Sequence, residues 1–275
     1  MKVLERFRAP KKVELSDEAA GETPLREKSK NKNGEVKERE RALTAELTGE
    51  LAKCQEKLYA SRKQKFLLIL QGMDTAGKDG TVSALFSQLN PMGLRAQAFV
   101  APTERERAHD FLWRVHPHVP ANGEIAIFNR SHYEDVLVPR VNGDLDDDAC
   151  ERRYAQIRDF ERMLAETGTT IVKLFLHISK DEQKARLQER LDDPEKHWKF
   201  DPNDLAVRAR WDDYQRAYEA AIRATDADHA PWYIVPADSK THRNLITAHI
   251  LLETMRGMDL SWPAPKADLE KVKID

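Results

Sequence analysis

A three-layer α/β sandwich, with helices on both sides of a central parallel sheet, is predicted by three features of this 275-residue sequence. Short apolar runs at 66–70, 96–100, 124–128, 170–177 and 232–235 alternate with helical patterns and show no hairpin signal, as expected of strands joined by crossover helices. The runs at 66–70 and 170–177 are apolar nearly throughout, as strands covered on both faces must be. The first run then stops abruptly at a glycine-rich turn, Gly72-Met73-Asp74-Thr75-Ala76-Gly77-Lys78-Asp79-Gly80.

That turn organises the rest. Gly72 to Lys78 reads G-x-x-x-x-G-K, in which glycines let backbone N–H groups face an anion and the lysine reaches terminal phosphates. The hydroxyl residue that usually follows, a ligand for Mg2+, is replaced by Asp79. Asp74, inside the loop, offers the hard oxygen that a phosphate-bound Mg2+ requires. A helix should follow, because Val82, Leu85, Phe86 and Leu89 recur at helical spacing before Pro91 and Gly93.

Composition sets the bounds. With 40% hydrophobic and 33% charged residues the chain can bury a full core, and it fits one large domain with appendages. A net charge of −2 requires any bound polyanion to be met by a local concentration of Lys and Arg. Nucleic acid is not expected as a partner. Cys54 and Cys150 lie far apart without metal or redox spacing, which predicts a reducing, cytoplasmic setting. Signal-peptide and membrane-spanning patterns are missing from the sequence.

In chain order, residues 1–34 carry few large apolar side chains and are expected to form an extended arm, loose or crossing to a neighbouring subunit. A core domain over 35–257 follows, then a charged, Pro-containing tail over 258–275. Leu43, Leu47, Leu51, Cys54 and Leu58 make one stripe of a helix over 35–61. Thr103-Glu-Arg-Glu106 is a capping box that should open a helix carrying Phe111, Leu112, Trp113 and Val115. The strand at 124–128 delivers Asn129-Arg130-Ser131-His132-Tyr133-Glu134 to the strand ends, where open α/β sheets bind ligands. Ser131 and Glu134 also have the spacing of a capping box, the plainer reading of both. Arg130 is not explained by a cap, and its fork suits phosphate oxygens. His132 reads as a packing residue.

Cys150, Tyr154, Ile157, Phe160 and Leu164 then mark a helix closed at Gly168. Between the last two strands, Arg186 and Arg190 stand four apart, so on a helix they share a face. Pro194 breaks that helix, and Lys196 and Lys199 continue the cationic line beside Trp198. Asp201-Pro202 should open a helix with the stripe Val207, Trp211, Tyr214, Tyr218 and Ile222, read as packing. A basic helix-break-helix over about 183–225, hung between two core strands, suggests a mobile lid. A last helix carries Leu245, Ala248, Leu252 and Met255 on one face.

Taken together, the glycine loop, Phe128-Asn129-Arg130-Ser131-His132-Tyr133-Glu134, Glu182-x-x-x-Arg186-x-x-x-Arg190, Asp193-Pro-x-Lys196-x-Trp198-Lys199 and Ala230-Pro-Trp232 resemble the polyphosphate kinase 2 family over roughly 35–257. The resemblance implies a P-loop kinase-like core with a helical lid, dependence on Mg2+ (or Mn2+), and homo-oligomeric assembly as a dimer or tetramer. It also implies phosphoryl exchange between inorganic polyphosphate and adenine or guanine nucleotides. By that likeness Asp74, Lys78, Arg130, Arg186 and Arg190 carry the reaction. Gly72, Met73, Thr75, Ala76, Gly77, Asp79, Gly80, Asn129, Glu134, Arg140, Lys196 and Lys199 make the remaining phosphate and nucleotide contacts. In much of the family the position of Asn129 is an acid; the Asn resembles the subgroup that takes nucleoside monophosphates as well as diphosphates. Metal ligation then falls to Asp74 with Glu134.

The chemistry agrees with this pattern independently. A phosphomonoester loses its second proton near pH ~6, so at neutral pH no strong base is needed; the obstacle is bringing two polyanions together. Fixed cations remove it. Two rivals use the same residues: an ATP-dependent nucleoside or nucleotide kinase, and a non-catalytic scaffold that binds nucleotides or polyanions. A line of cations longer than one triphosphate needs argues against the first.

Overall fold

A computed structural model describes residues 3–26, 33–266 and 274. The chain runs α1 (Val3–Phe7), α2 (Asp17–Ala20), α3 (Asn33–Ser61), β1 (Lys65–Gln71), α4 (Lys78–Phe86), β2 (Leu94–Ala98), α5 (Glu104–Arg107), β3 (Ile125–Asn129), α6 (Glu134–Asn142), α7 (Asp147–Glu166) and β4 (Thr169–His177). It continues with α8 (Lys180–Asp192), a 3-10 segment at Pro194–Lys199, α9 (Asn203–Ala209), α10 (Trp211–Thr225), β5 (Trp232–Pro236) and α11 (Lys240–Arg256).

The five strands are parallel in the order β2-β3-β1-β4-β5. β1 is central, with Phe66 to Leu70 fully buried, and its register sets Leu70 beside Asn129 of β3 and Gln71 beside Phe175 of β4. The turns leaving β1 and β3 therefore emerge side by side at the point where strand order reverses, the crevice that open α/β sheets offer to ligands. α3, α4 and α11 pack together as one helical layer, and α6, α7 and α10 as the other. Among the described residues no helix is long and apolar enough to cross a membrane.

A buried polar cluster anchors the turn after β3. Lys173, fully buried in β4, donates to Glu161 Oε2 at 2.5 Å, to the Tyr133 hydroxyl at 3.0 Å and to the Thr225 carbonyl at 2.9 Å. The Tyr133 hydroxyl in turn donates to Glu161 at 2.8 Å, and the His132 ring lies 3.3 Å from the same carboxylate. Burial alone would raise the Glu161 carboxyl, but Lys173 and His132 hold it below the ordinary carboxylate range. His132 is thus a packing residue, and β4, α7, α10 and the segment beside Arg130 are tied at one point.

The described part of the N-terminal arm corrects the expectation of a loose or crossing segment. Phe7, Ala9, Val13 and Ala20 are buried, Ala9 N–H donates to the Trp232 carbonyl at 2.9 Å, and Arg8 pairs with Asp226 at 2.9 Å. Sparse apolar residues suffice because β5 is an edge strand whose backbone accepts a partner. Residues 1–2 and 27–32 of the expected arm and 267–273 and 275 of the expected tail lie outside the described residues. The Thr103 capping box forms, with both reciprocal bonds, but opens only the single turn α5. The expected helix carrying Phe111 to Val115 is absent, and that stretch runs through turns. The one helix expected after Pro202 is two, α9 and α10, parted at Arg210. Its aromatic stripe does pack: Trp211, Tyr214, Tyr218 and Ile222 are buried.

Candidate active site

The loop after β1 is held open by backbone geometry and by side chains behind it. Thr75 and Gly77 take positive φ of 64° and 100°, turning the chain around the mouth of α4. A Cβ at Gly72 would lie 2.6 Å from the Leu176 carbonyl oxygen, so only glycine lets β1 leave the sheet there. Lys78, at the start of α4, donates to the carbonyls of Gly72 at 2.7 Å and Met73 at 3.2 Å, arching across the loop. Burial, and then the charge of Arg130, push the Lys78 ammonium down to about 8.

Arg130 leaves β3 in the left-handed region, φ 62°, with its N–H on the Leu70 carbonyl. Its guanidinium joins two acids: it pairs with Asp74 of the loop and with Glu134 at 3.0 Å. Glu134, and then Asp74, raise the Arg130 guanidinium above its ordinary value. The capping box expected of Ser131 and Glu134 does not form; Ser131 Oγ accepts from Tyr133 N–H at 3.2 Å, and Glu134 spends its carboxylate on Arg130. Asn129, at the end of the same strand, donates from its amide to Asp79.

Two cavities meet at this ion pair. The first, about 470 Å³, is lined by Lys78, Arg130, Arg186, Arg190, Lys196, Lys199, Lys240 and Arg243, with Thr75, Gly77, Asp79, Gly80 and Asn129 of the two turns. The second, about 410 Å³, is lined by Gly72, Met73, Glu134, Arg114 and Asp135 and by apolar Leu137, Val138, Val207, Tyr214 and Tyr218. Asp74, Arg130, Phe99, Val100, Asp201 and Asp204 belong to both walls. One cavity is a cationic trough and the other a mixed pocket suited to a flat heterocycle with polar substituents. Asp74 and Arg130 stand between them.

The two arginines of α8 differ from each other in their partners. Arg186, only 6% exposed, donates Nε to Glu182 at 2.8 Å, Nη1 to the Thr75 and Ala76 carbonyls at 2.9 and 3.3 Å, and Nη2 to the Ala237 and Asp238 carbonyls at 2.7 and 2.8 Å. All of its donors are met by protein, so it clamps the loop from the α8 side while still lining the trough. Arg190 does face the trough; it donates to the Lys199 carbonyl at 2.8 Å and to Asp204 at 3.1 Å. Burial, and then the charge of Asp74, raise the Asp204 carboxyl to about 6 against the pull of Arg190. Lys196 pairs with Glu189 at 2.7 Å and Asp193 at 2.8 Å.

Arg140 is where the structure departs from expectation. It lines neither cavity, and it donates to the Tyr154 hydroxyl at 3.0 Å and to Asp147 at 2.9 Å, fastening α6 to α7. Ala76 contributes through its carbonyl, which accepts from Arg186 and Arg243. Sequence reasoning missed Asp204, Lys240 and Arg243. The last two open α11 immediately after β5, and in a parallel sheet every strand end points to the same crevice.

For a divalent ion the donor set is sparse but suitable. No cluster of three or more His, Cys, Asp or Glu is gathered as a metal cage among the described residues. Mg2+ commonly takes one or two carboxylates together with substrate phosphates and water. Asp74, on the loop and at the boundary of both cavities, meets that description, and Glu134 follows it across the Arg130 fork.

Comparison with known proteins accords with this geometry. The family model described as "Polyphosphate kinase 2 (PPK2)" matches residues 34–262. The AMP/ADP-polyphosphate phosphotransferase of Meiothermus ruber is 54% identical over 231 residues, 84% of this chain and 86% of that protein. The ADP-polyphosphate phosphotransferase of Rhodopseudomonas palustris is 44% identical over 225 residues, 78% of each. The crystal structure of polyphosphate kinase 2 from Arthrobacter aurescens TC1 superposes with a TM-score of 0.91 at 45% identity, covering 98% of this chain and 94% of that one. With its five-stranded parallel sheet and its glycine-lined loop, the chain belongs to the polyphosphate kinase 2 family.

Proposed function

We propose that this chain transfers phosphate, with Mg2+ (Mn2+ serving in its place), between inorganic polyphosphate and nucleoside mono- or diphosphates, taking AMP to ADP and ADP to ATP reversibly. One observation carries the reading: a cationic trough and a mixed pocket join at Asp74 and Arg130. The trough suits a linear polyanion, and the pocket suits a nucleoside. The names of the relatives, AMP/ADP-polyphosphate and ADP-polyphosphate phosphotransferase, support the same substrates.

In this reading Arg190, Lys196 and Lys199 hold the polyphosphate chain along the trough, while Lys78 and the amides of Thr75 to Gly80 hold the phosphates nearest the loop. Arg186 keeps the loop in shape. A terminal oxygen of the nucleotide attacks the end phosphorus of the chain, the bridging P–O bond breaks, and the shortened chain leaves with the electron pair. No proton has to be removed first, because the attacking phosphate is already anionic. The guanidinium of Arg130 turns from its carboxylates to the transferred group and offsets the charge there. When bound, the divalent ion supplies further charge neutralisation on the phosphate oxygens, with Asp74 as its foremost protein ligand and Glu134 as the second.

Self-association as a dimer or tetramer is part of the proposal, supported by the length of α3, which leaves Leu43 on its outer face exposed. A cytoplasmic setting is also part of it, supported by the two unpaired cysteines. The decisive experiment incubates the purified protein with Mg2+ and AMP, and with either polyphosphate or ATP. Formation of ADP and then ATP from polyphosphate alone is expected. Transfer only from ATP would mean an ordinary nucleotide kinase, and no transfer would mean a binding protein.

A further inference from the structure

Arg243 sits beneath the loop and has no place in the reaction as described so far. It is 3% exposed, and among the described residues it forms no ion pair with a carboxylate. A buried charge of like sign lies beside it: Arg186 donates to the same Ala76 carbonyl. Burial, and then that neighbour, push the Arg243 guanidinium down to about 9. Placing an uncompensated cation there is costly, and so it needs an anion to offset it.

The donors indicate where that anion sits. Arg243 Nη1 donates to the Ala76 carbonyl at 3.0 Å, and Nε and Nη2 donate to Asn244 Oδ1 at 3.1 and 2.9 Å. A guanidinium carries about five N–H groups, so one on each terminal nitrogen is left over. The side chain lines the cationic trough, and it reaches that wall because position 77 lacks a Cβ: one built on Gly77 would fall 1.9 Å from Arg243 Nη1. Lys240, one turn earlier in α11, lines the same wall.

We infer that Arg243 is a further substrate-binding residue: reaching past Gly77, its free N–H edge holds a phosphate of the inorganic polyphosphate chain, while its bond to Ala76 braces the loop. The inference rests on the proposal that this trough receives polyphosphate. Glycine at position 77 then has two functions, the left-handed turn and the gap through which the guanidinium acts.

The test measures thermal stabilisation by inorganic tripolyphosphate without added metal, and steady-state kinetics, for the wild type, Arg243→Gln and Arg243→Lys. For Arg243→Gln the half-saturating tripolyphosphate concentration and the KM for polyphosphate should both rise about tenfold or more, as loss of a charge-assisted pair does, with the KM for ADP within about twofold. Arg243→Lys keeps the charge but loses the fork, so its half-saturating tripolyphosphate concentration should rise several-fold, less than that of Arg243→Gln. A folded Gln variant that is stabilised by tripolyphosphate as the wild type is, with an unchanged KM for polyphosphate, overturns the inference. If Gln prevents folding, the Lys variant decides: a several-fold rise in half-saturation supports the inference, and wild-type values in both measurements overturn it. A wild type that tripolyphosphate does not stabilise would instead overturn the reading of the trough itself.

Discussion

Arg130 and Asp74 form an ion pair across the boundary between the two cavities, with Glu134 on the other arm of the same guanidinium. The cation is held by carboxylates where the proposed reaction would give it phosphate. A guanidinium can let go of one carboxylate and keep the other, because its fork has two edges. An ammonium cannot. Arg130→Lys should therefore retain most of the fold and bind polyphosphate nearly as well, but lose about 10- to 100-fold in kcat, measured as ATP formation from ADP.

Lys78 gives the pH dependence its sign. Its ammonium is lowered to about 8 in the free site, mainly by burial, so the charge is present below that pH and lost above it. The ratio kcat/KM should fall on the basic side with a limb near pH 8, as a free-enzyme group does. Bound phosphates favour the charged form, so the limb in kcat should lie at higher pH. Lys78→Ala should abolish the limb together with most of the activity.

Much of this site was legible from local pattern alone. The loop residues, Asn129 and Arg130 could be read because each lies at a strand end, where sheet topology dictates convergence. The role of Arg186 could not be read, since spacing gives the helix face but not the Thr75, Ala237 and Asp238 carbonyls waiting on it. Arg140 was misread because its partner, Tyr154, lies on another helix. The short α5 shows the same limit: a complete capping box starts a helix, but the length comes from tertiary packing. The N-terminal segment folds back because an open strand edge awaits it, which composition cannot reveal.

Asp74 and Glu134 separate in a metal titration. Asp74 borders both cavities, whereas Glu134 lines only the mixed pocket. Asp74→Asn should raise the Mg2+ concentration needed for half-maximal rate about tenfold, as loss of a direct carboxylate ligand does. Glu134→Gln should lower kcat by loosening Arg130 and move the Mg2+ requirement by less. Equal shifts in both would make Glu134 a ligand of equal standing.

The cluster around Lys173 predicts a stability effect away from the cleft. Lys173→Met leaves Glu161 fully buried without its cation, a change that costs about 3–5 kcal/mol in comparable sites. Adding Glu161→Gln should restore a large part of it, because the second substitution removes the stranded charge. Urea denaturation of the single and double variants measures both terms.

Asp204 sits on the lid and pairs with Arg190 at 3.1 Å, occupying the arginine that would grip the polyphosphate chain. Its carboxyl is raised to about 6, first by burial and then by Asp74, so near neutral pH it is charged and holds Arg190, and below that range it is protonated and lets go. A raised carboxyl contributes stability below its unfolded range, and that contribution is lost as pH rises through about 6. Asp204→Asn removes this dependence. The variant should gain thermal stability relative to the wild type at pH 8 but not at pH 4. Its KM for polyphosphate should be about two- to fivefold lower at pH 8, with the difference closing near pH 5, where the wild-type carboxyl is itself neutral. A KM that rises at pH 8 would instead mean that Asp204 orients Arg190 toward the chain, and the lid would close through that pair instead of against it.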